Sequence, residues 1–383
     1  MKIKNILLVI NVFLIIAVLS ACGKDTNSID TVNISNAENN GTVTKIPKSL
    51  KKKLSENVVV DAEIDAPEKL PKQMGIYNAK IKELENKEQV LKLLSNNESF
   101  KKQPNEEFTD NGGVKRVQET YCSNDNCYLS WSGTQLSYTK DVYFDIQDAF
   151  SLTWSGFKSY DNEMKNIYKE KQLEFMTPKE AEKKAREFLS LMGITACNVN
   201  IFALDSATLK EQQTITNKQC KEDNLPPSKI RPVRHWSKDD DCYALKFNQD
   251  LNGVQVSSQE FGKSVNQISG PIIHVYITKS GFVNVIINNI FDIMDEPIQS
   301  KTPLSLNKAL DIIKNKYDEV IMKRPITVTD IEFSYVPQLK SANEENYILT
   351  PAWLFNLAEY SDDIKDSIDK RLIINALTGE QME

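Results

Sequence analysis

Turn-forming clusters recur between short β-prone runs through the second half of this chain, and two helices with explicit start signals interrupt them. Asn252-Gly253 separates an apolar run at Cys242–Phe247 from another at 254–256. An Asn-Gly pair supplies the two left-handed residues of a tight hairpin. Lys279-Ser280-Gly281 separates Ile272–Thr278 from 282–287 in the same way. Thr177-Pro178-Lys179-Glu180 reads as an N-cap, a proline at the first helical position and a capping-box glutamate. Ala181, Ala185, Phe188, Leu189 and Met192 then share one face, and Gly193 supplies the stop. The pattern recurs at Pro303-Leu304-Ser305, where a helix to about residue 317 places Ala309, Leu310, Ile313 and Tyr317 on one side. Strands follow at 327–336, 349–357 and 372–376, and Leu377-Thr378-Gly379-Glu380 forms the last turn.

Upstream, Val58, Val60, Ala62 and Ile64 alternate with polar residues, the period of a strand. Residues 87–94 read as a short helix, and 114–154 as mostly β, with Ser132-Gly133-Thr134 a tight turn. The stretch 142–154 fits strand or short helix equally. The expected fold is therefore α+β, with tandem antiparallel-sheet units, each carrying a packed helix, behind a β-rich N-terminal region. The expected divisions are 1–21, 22–56, 57–175, 176–300 and 301–383.

The first division has its own chemistry. Lys2 and Lys4 precede an apolar run from Ile6 to Leu19, broken by Asn11, and Leu19-Ser20-Ala21-Cys22 follows directly. Basic, then apolar, then small residues at a cut is the layout of a secretory signal. The run is shorter than the ~20 residues that a spanning helix needs. Leu-Ser-Ala before a cysteine resembles a lipobox, which implies diacylglycerol on Cys22 and cleavage before it. The chain is then expected at the outer face of the cell membrane, with residues 22–56 as a flexible polar tether that includes Lys51-Lys52-Lys53. Removing Lys2 and Lys4 with the leader takes the net charge from −6 to −8. That acidity argues against nucleic acid as a partner and against a polybasic lipid contact.

Of the six cysteines, Cys22 is assigned to lipid. Cys122 and Cys127 flank a Ser-Asn-Asp-Asn turn and are the candidates for a hairpin disulfide in an oxidising compartment. The pairing of Cys197, Cys220 and Cys242 stays open. The Cys122–Cys127 spacing and the scarcity of histidine speak against zinc.

Catalytic signatures are sparse. The sequence holds no His-Glu-x-x-His, Gly-x-Ser-x-Gly or Gly-x-x-x-x-Gly-Lys motif. His274 lies inside an apolar strand, where a hydrogen-bonded sheet residue is the expected role. His235 belongs to the basic stretch Arg231-Pro232-Val233-Arg234-His235-Trp236, a candidate anion site or a solvated loop. Asp239-Asp240-Asp241 offers oxygen ligands without EF-hand spacing. Asp362, Asp363, Asp366 and Asp369, with Lys365, Lys370 and Arg371, read as a solvated helix or loop. Trp131, Trp154, Trp236 and Trp353 could line a sugar or peptide groove or pack in the core; Trp353, in a strand between Pro351 and Leu354, is expected in the core, and Trp236 has the best claim to exposure. No catalytic residue, metal site or cofactor is assigned.

The two helices resemble those of PepSY-type units. So do Pro351-Ala352-Trp353-Leu354-Phe355 and the closing Ile373-Ile374-Asn375-Ala376-Leu377-Thr378-Gly379-Glu380, with Asn375 where that pattern has Asp. The stretch Cys242–Phe247 through Asn252-Gly253 to Val256 is similar to a segment of the YycH/YycI regulators. The layout is also similar to Gram-positive lipoproteins of unknown function. The resemblance covers roughly residue 177 onward. It implies a non-enzymatic binding or regulatory protein acting on an envelope partner, such as a membrane sensor kinase or protease. The competing expectation is a cell-wall-directed enzyme or extracellular ligand receptor.

Overall fold

A computed structural model describes residues 45–95, 100–110, 113–123, 127–149, 167–168, 171–195, 198–222, 234–261, 268–341, 346–361 and 366–382. The leader, Cys22, most of the expected tether, Trp154, Cys197, Arg231 to Val233, Asp362, Asp363 and Lys365 lie outside them.

In chain order the strands begin β1 (Ser49–Lys53), β2 (Val58–Asp65), β3 (Met74–Ile81), β4 (Lys101–Lys102), β5 (Glu106–Thr109) and β6 (Lys115–Cys122). Next come β7 (Tyr128–Trp131), β8 (Leu136–Thr139), β9 (Val199–Leu204), β10 (Cys242–Phe247), β11 (Asp250–Leu251) and β12 (Val254–Gln255). Then follow β13 (Glu260–Phe261), β14 (Ile268–Ser269), β15 (Ile272–Thr278), β16 (Gly281–Asn288), β17 (Phe291–Ile293) and β18 (Gln299–Lys301). The last are β19 (Ile326–Ser341), β20 (Asn346–Ser361), β21 (Asp366–Asn375) and β22 (Gln381–Met382).

Two nine-stranded sheets organise them. The first runs β1-β2-β19-β20-β21-β22, with β3 joined to β20 and carrying β17 and β18. The second runs β4-β6-β7-β8-β16-β15-β10-β9, with β5 on β6. The small ribbons β11–β12 and β13–β14 complete the set.

The second sheet is covered on both faces. Tyr243, Leu245 and Phe247 of β10 pack with Ala181, Ala185, Phe188 and Leu189 of the Pro178–Leu191 helix. The alternate residues Cys242 and Ala244 pack with Tyr143, Leu209 and Trp236 on the other side. This is why β10 and β15 are apolar almost without a break: both faces of a doubly covered strand must be. The first sheet has the Leu306–Asp318 helix on one face, with Leu306, Ala309, Leu310 and Ile313 buried. Trp353 is fully buried there, 4.7 Å from Phe333 ring to ring, and its Nε1 donates to Leu304 O at 3.0 Å.

Much of the local reading holds. Thr177 caps the 178–191 helix with both capping-box bonds in place, and Ser305 caps the later one. Asn252 and Gly253 take φ of 53° and 79°. The 142–154 stretch, where described, is the helix Asp141–Ala149.

The expected fold class is corrected. The chain is mostly β, 47% strand against 22% helix, and tandem helix-plus-sheet units are not its organisation. Strands from distant parts of the chain share each sheet: β8 pairs with β16, and β3 pairs with β17, β18 and β20. Nor is the first sheet purely antiparallel, because β2 runs parallel to β19. No short turn joins those two strands, so no hairpin imposes an antiparallel pairing. The tether also ends earlier than expected: Ser49–Lys53, with the three lysines, is an edge strand on β2. Lysines on an edge strand discourage further pairing. The Ser206–Glu222 helix was not anticipated, because its few large apolar residues, Leu209 and Ile215, make a faint stripe. Finally, the aspartate-rich stretch is no helix where it is described: Asp366 and Asp369 lie in β21.

Candidate functional site

A polar chain of side chains lies where the segment after β10 crosses from the second sheet to the first. Gln249 starts it. Its carboxamide donates to Phe291 O at 2.6 Å and accepts from Phe291 N at 3.0 Å, standing in for a neighbouring strand. At the β11–β12 turn, Asn252 Nδ2 donates to the Tyr77 hydroxyl at 3.0 Å. Asn248 Nδ2 donates to Gln255 Oε1 at 3.1 Å. Gln255 Nε2 in turn donates to Asp65 Oδ2 at 2.9 Å and Glu332 Oε1 at 3.2 Å. Gln259 Nε2 completes the set, donating to Glu332 Oε2 at 2.7 Å.

The backbone explains the convergence. Asp65 and Glu332 are register partners on the parallel strands β2 and β19, so their carboxylates lie side by side. Like charges placed so repel, and the Gln255 amide donates to both. Where β2 ends, the chain at Val256 takes its place beside Tyr335, and Ser257 N donates to Tyr335 O at 2.9 Å. The β13–β14 ribbon then folds over the face of the sheet, and Phe261 packs on Val336, Ala352, Leu354 and Ile373. Gly270 permits this crossing: a Cβ there would stand 1.7 Å from Ser257 O. Arg371 of β21 donates to Glu260 O at 3.0 Å and lies in electrostatic reach of Glu332.

Glu332 is only 8% exposed. Beside it, Ser257 Oγ, Ser334 Oγ and Gln259 Oε1 are buried with no hydrogen-bond partner among the described residues. Buried polar atoms ordinarily have partners, supplied by protein, ordered water or a bound molecule. Amides, hydroxyls, carboxylates and a guanidinium support recognition by hydrogen bonding. Ligand sites favour junctions of this kind.

The residues singled out from sequence fall elsewhere. His274 is buried on β15 opposite Lys246. Burial first, then Lys246, pushes its imidazole down to about 3, so it is neutral at physiological pH. Arg234 is held by Asp145 at 3.1 Å and Asp240 at 3.0 Å. Two nitrogens of this guanidinium are thus engaged by acids of the same chain, and Arg231, the other arginine of the basic stretch, lies outside the described residues. His235 is exposed. Trp236, expected at the surface, is 9% exposed, and its Nε1 donates to Gln213 Oε1 at 3.0 Å. Gln213 also accepts from Arg234 N at 2.9 Å, which fastens the loop over the second sheet.

Asp239, Asp240 and Asp241 diverge rather than converge. They meet Lys279, Ser237 with Arg234, and the backbone N of Ser206 respectively. No group of three or more metal-ligating side chains occurs among the described residues. The expected bridge between Cys122 and Cys127 is not formed in the structure, where Cys127 is buried in the core of the second sheet. Cys122 pairs in register with Tyr128, so its neighbour Cys127 points to the other face of the hairpin. Trp131 and Trp353 are core residues.

A further charged cluster stands at the opposite margin of the second sheet. Glu119 accepts from Lys87 Nζ at 2.6 Å, Lys102 Nζ at 2.7 Å and the Tyr121 hydroxyl at 2.7 Å. The Lys102 contact, with Lys87 and Tyr121 behind it, holds the Glu119 carboxyl down at about 2. Burial and the Glu119 bond push the Tyr121 hydroxyl up to about 12.

Sequence reasoning missed the junction. One signal was present: Glu332 interrupts an apolar strand between Ile331 and Phe333, and a charge there needs partners. Gln255 and Gln259, the partners, look like ordinary surface residues.

No family model matches the chain, and no curated protein is similar to it. Among solved structures, the fold is similar to the crystal structure of an uncharacterized protein from Eubacterium rectale. The TM-score is 0.60 at 18% identity, over 88% of this chain and 94% of that one. At that identity the likeness is one of fold alone.

Proposed function

We propose that this chain is an extracytoplasmic lipoprotein, held on the outer face of the cell membrane by lipid on Cys22, that acts as a non-catalytic binding or regulatory protein on an envelope partner. The observation that carries the reading is Leu19-Ser20-Ala21-Cys22 directly after the apolar run. Each buried lipid CH₂ contributes about 0.8 kcal/mol, so two acyl chains give stable anchoring. The binding part of the reading is supported by the polar junction, whose amide and carboxylate groups are arranged for recognition. A membrane sensor kinase or protease is the partner class that the YycH/YycI resemblance suggests.

The test pairs metabolic labelling by a clickable palmitate with crosslinking in intact cells. The natural chain should take up label and capture a single membrane protein, and Cys22→Ala should lose both. An unlabelled natural chain would remove the anchor from the reading.

A second reading, an extracellular ligand receptor, is favoured by the buried, unpartnered atoms of Ser257, Gln259 and Ser334. If Gln259→Leu abolished capture of a small wall-derived ligand and left protein crosslinks intact, this reading would replace the first.

A further inference from the structure

We infer that the turn after the Leu306–Asp318 helix is a membrane-contact wedge, dipping Val320 and Ile321 into the outer leaflet of the bilayer. The inference rests on the anchoring proposed above. Val320 is 51% exposed and Ile321 fully exposed, two adjacent β-branched apolar side chains in one turn. Single exposed apolar residues are ordinary on a protein surface. A consecutive pair held out on a braced turn is a different arrangement.

The bracing is explicit. Asn57 Nδ2 donates to Tyr317 O at 2.9 Å and Val320 O at 3.1 Å, and Ile326 N donates to Asn57 O at 2.9 Å. The turn is therefore fastened at both ends to the start of β2 and presents its tip from a fixed mount.

The surroundings suit a lipid interface. Lys323 and Arg324 follow the tip and are exposed. The Arg324 guanidinium lies 3.7 Å over the Tyr360 ring. Lys52 and Lys53 reach the same end of the sheet through their register with Val60 and Val59. Two nearby acids already have lysine partners, Glu56 with Lys53 at 2.8 Å and Asp318 with Lys314 at 2.9 Å. Glu319 lies at the base of the turn, and Glu359, near Tyr317, is paired with Lys370. An apolar tip with lysine, arginine and tyrosine behind it is the composition that settles at headgroup level.

A protein partner fits less well. Stable protein interfaces cover about 800 Å² on each side, and two side chains on a turn present a small fraction of that. A bilayer needs only apolar depth.

The linkage permits the contact. Lys45 stands 23 residues after Cys22. A chain of that length reaches at most about 80 Å. Ile46 joins the fold at the other end of β2, where its N donates to Glu68 O at 2.8 Å. The eight residues of β2 span about 26 Å, well inside that reach.

The experiment uses the full lipidated chain in vesicles of phosphatidylcholine and phosphatidylglycerol, with and without brominated acyl chains. Ile321→Trp is compared with the natural chain, whose own tryptophans supply the background. Flotation with the vesicles reports the anchor independently. The expected result is flotation of both proteins, with the added emission shifted to the blue and quenched at least twofold by bromine. Flotation with unquenched, water-like emission would overturn the wedge and leave the anchor standing. A chain that failed to float would overturn both. Ile321→Asp, checked for an unchanged melting temperature, should show lower hydrogen-exchange protection at residues 319–324 on vesicles than the natural chain. Equal protection would count against the wedge.

Discussion

The two sheets solve the problem of burial differently. β10 and β15 of the second sheet are buried at every position, because helices and the Trp236 loop cover the face opposite the Pro178–Leu191 helix. β2 of the first sheet alternates between buried and more exposed positions. One face packs on the Leu306–Asp318 helix, and the other carries Asp61, Glu63, Asp65 and, in register, Glu332. A doubly covered sheet is committed to its own core. The second face of the first sheet has no helix: the β13–β14 ribbon covers it at Val336, Ala352, Leu354 and Ile373, and beside β2 it holds the polar junction. The difference teaches where to look for binding in a mostly β protein: on the sheet with one helix layer.

The largest effect expected tests the covered face of the first sheet. Trp353→Ala should destabilise the protein by about 3–5 kcal/mol, through lost burial and a cavity. The Leu304 carbonyl would lose its indole donor as well. Urea denaturation measures it, and a loss below about 1 kcal/mol would mean that this core is not as described.

Next comes the buried histidine of the second sheet. The folded state holds His274 near 3, below the ordinary 6.5. The folded form therefore resists protonation, and its stability should fall as pH drops from 6.5 toward 3. The slope is about 1.4 kcal/mol per pH unit for one proton. Replacing His274 by Leu should flatten that slope in a urea series run against pH. An unchanged slope would place the imidazole in solvent.

Glu119 probes the open margin of the same sheet. Its carboxyl is held at about 2 instead of 4.5, so the contribution is complete above 4.5 and lost as pH falls toward 2. Lys102 is half exposed, and solvent screening reduces the effect to about 1–2 kcal/mol. Glu119→Gln should cost that much at pH 7 and nothing at pH 2. Equal cost at both pH values would contradict the electrostatic account.

The smallest effect belongs to the helix on the second sheet. Thr177→Ala should cost about 1 kcal/mol by removing one half of the capping box. Thr177→Ser, which keeps the hydroxyl, should restore most of it in the same denaturation assay.

The sequence alone determined the local devices. The Thr177 cap, the Asn252-Gly253 turn, the Ser305 start and the alternating strand at Val58 are written in neighbouring residues, so each is legible without the rest of the chain. Tertiary structure decided what short-range patterns cannot hold. β2 and β19 pair in parallel across more than half of the chain. Ser49–Lys53 becomes a strand only because β2 offers it an edge, and Trp236 is buried only because Gln213 and the second sheet receive it. The junction is the clearest case. Asp65, the Gln255–Gln259 segment and Glu332 lie far apart in the chain, and Glu332 alone carries a signal, a charge inside an apolar strand. Pairing of distant strands, driven by burial of the apolar faces around them, is what brings them within hydrogen-bond distance.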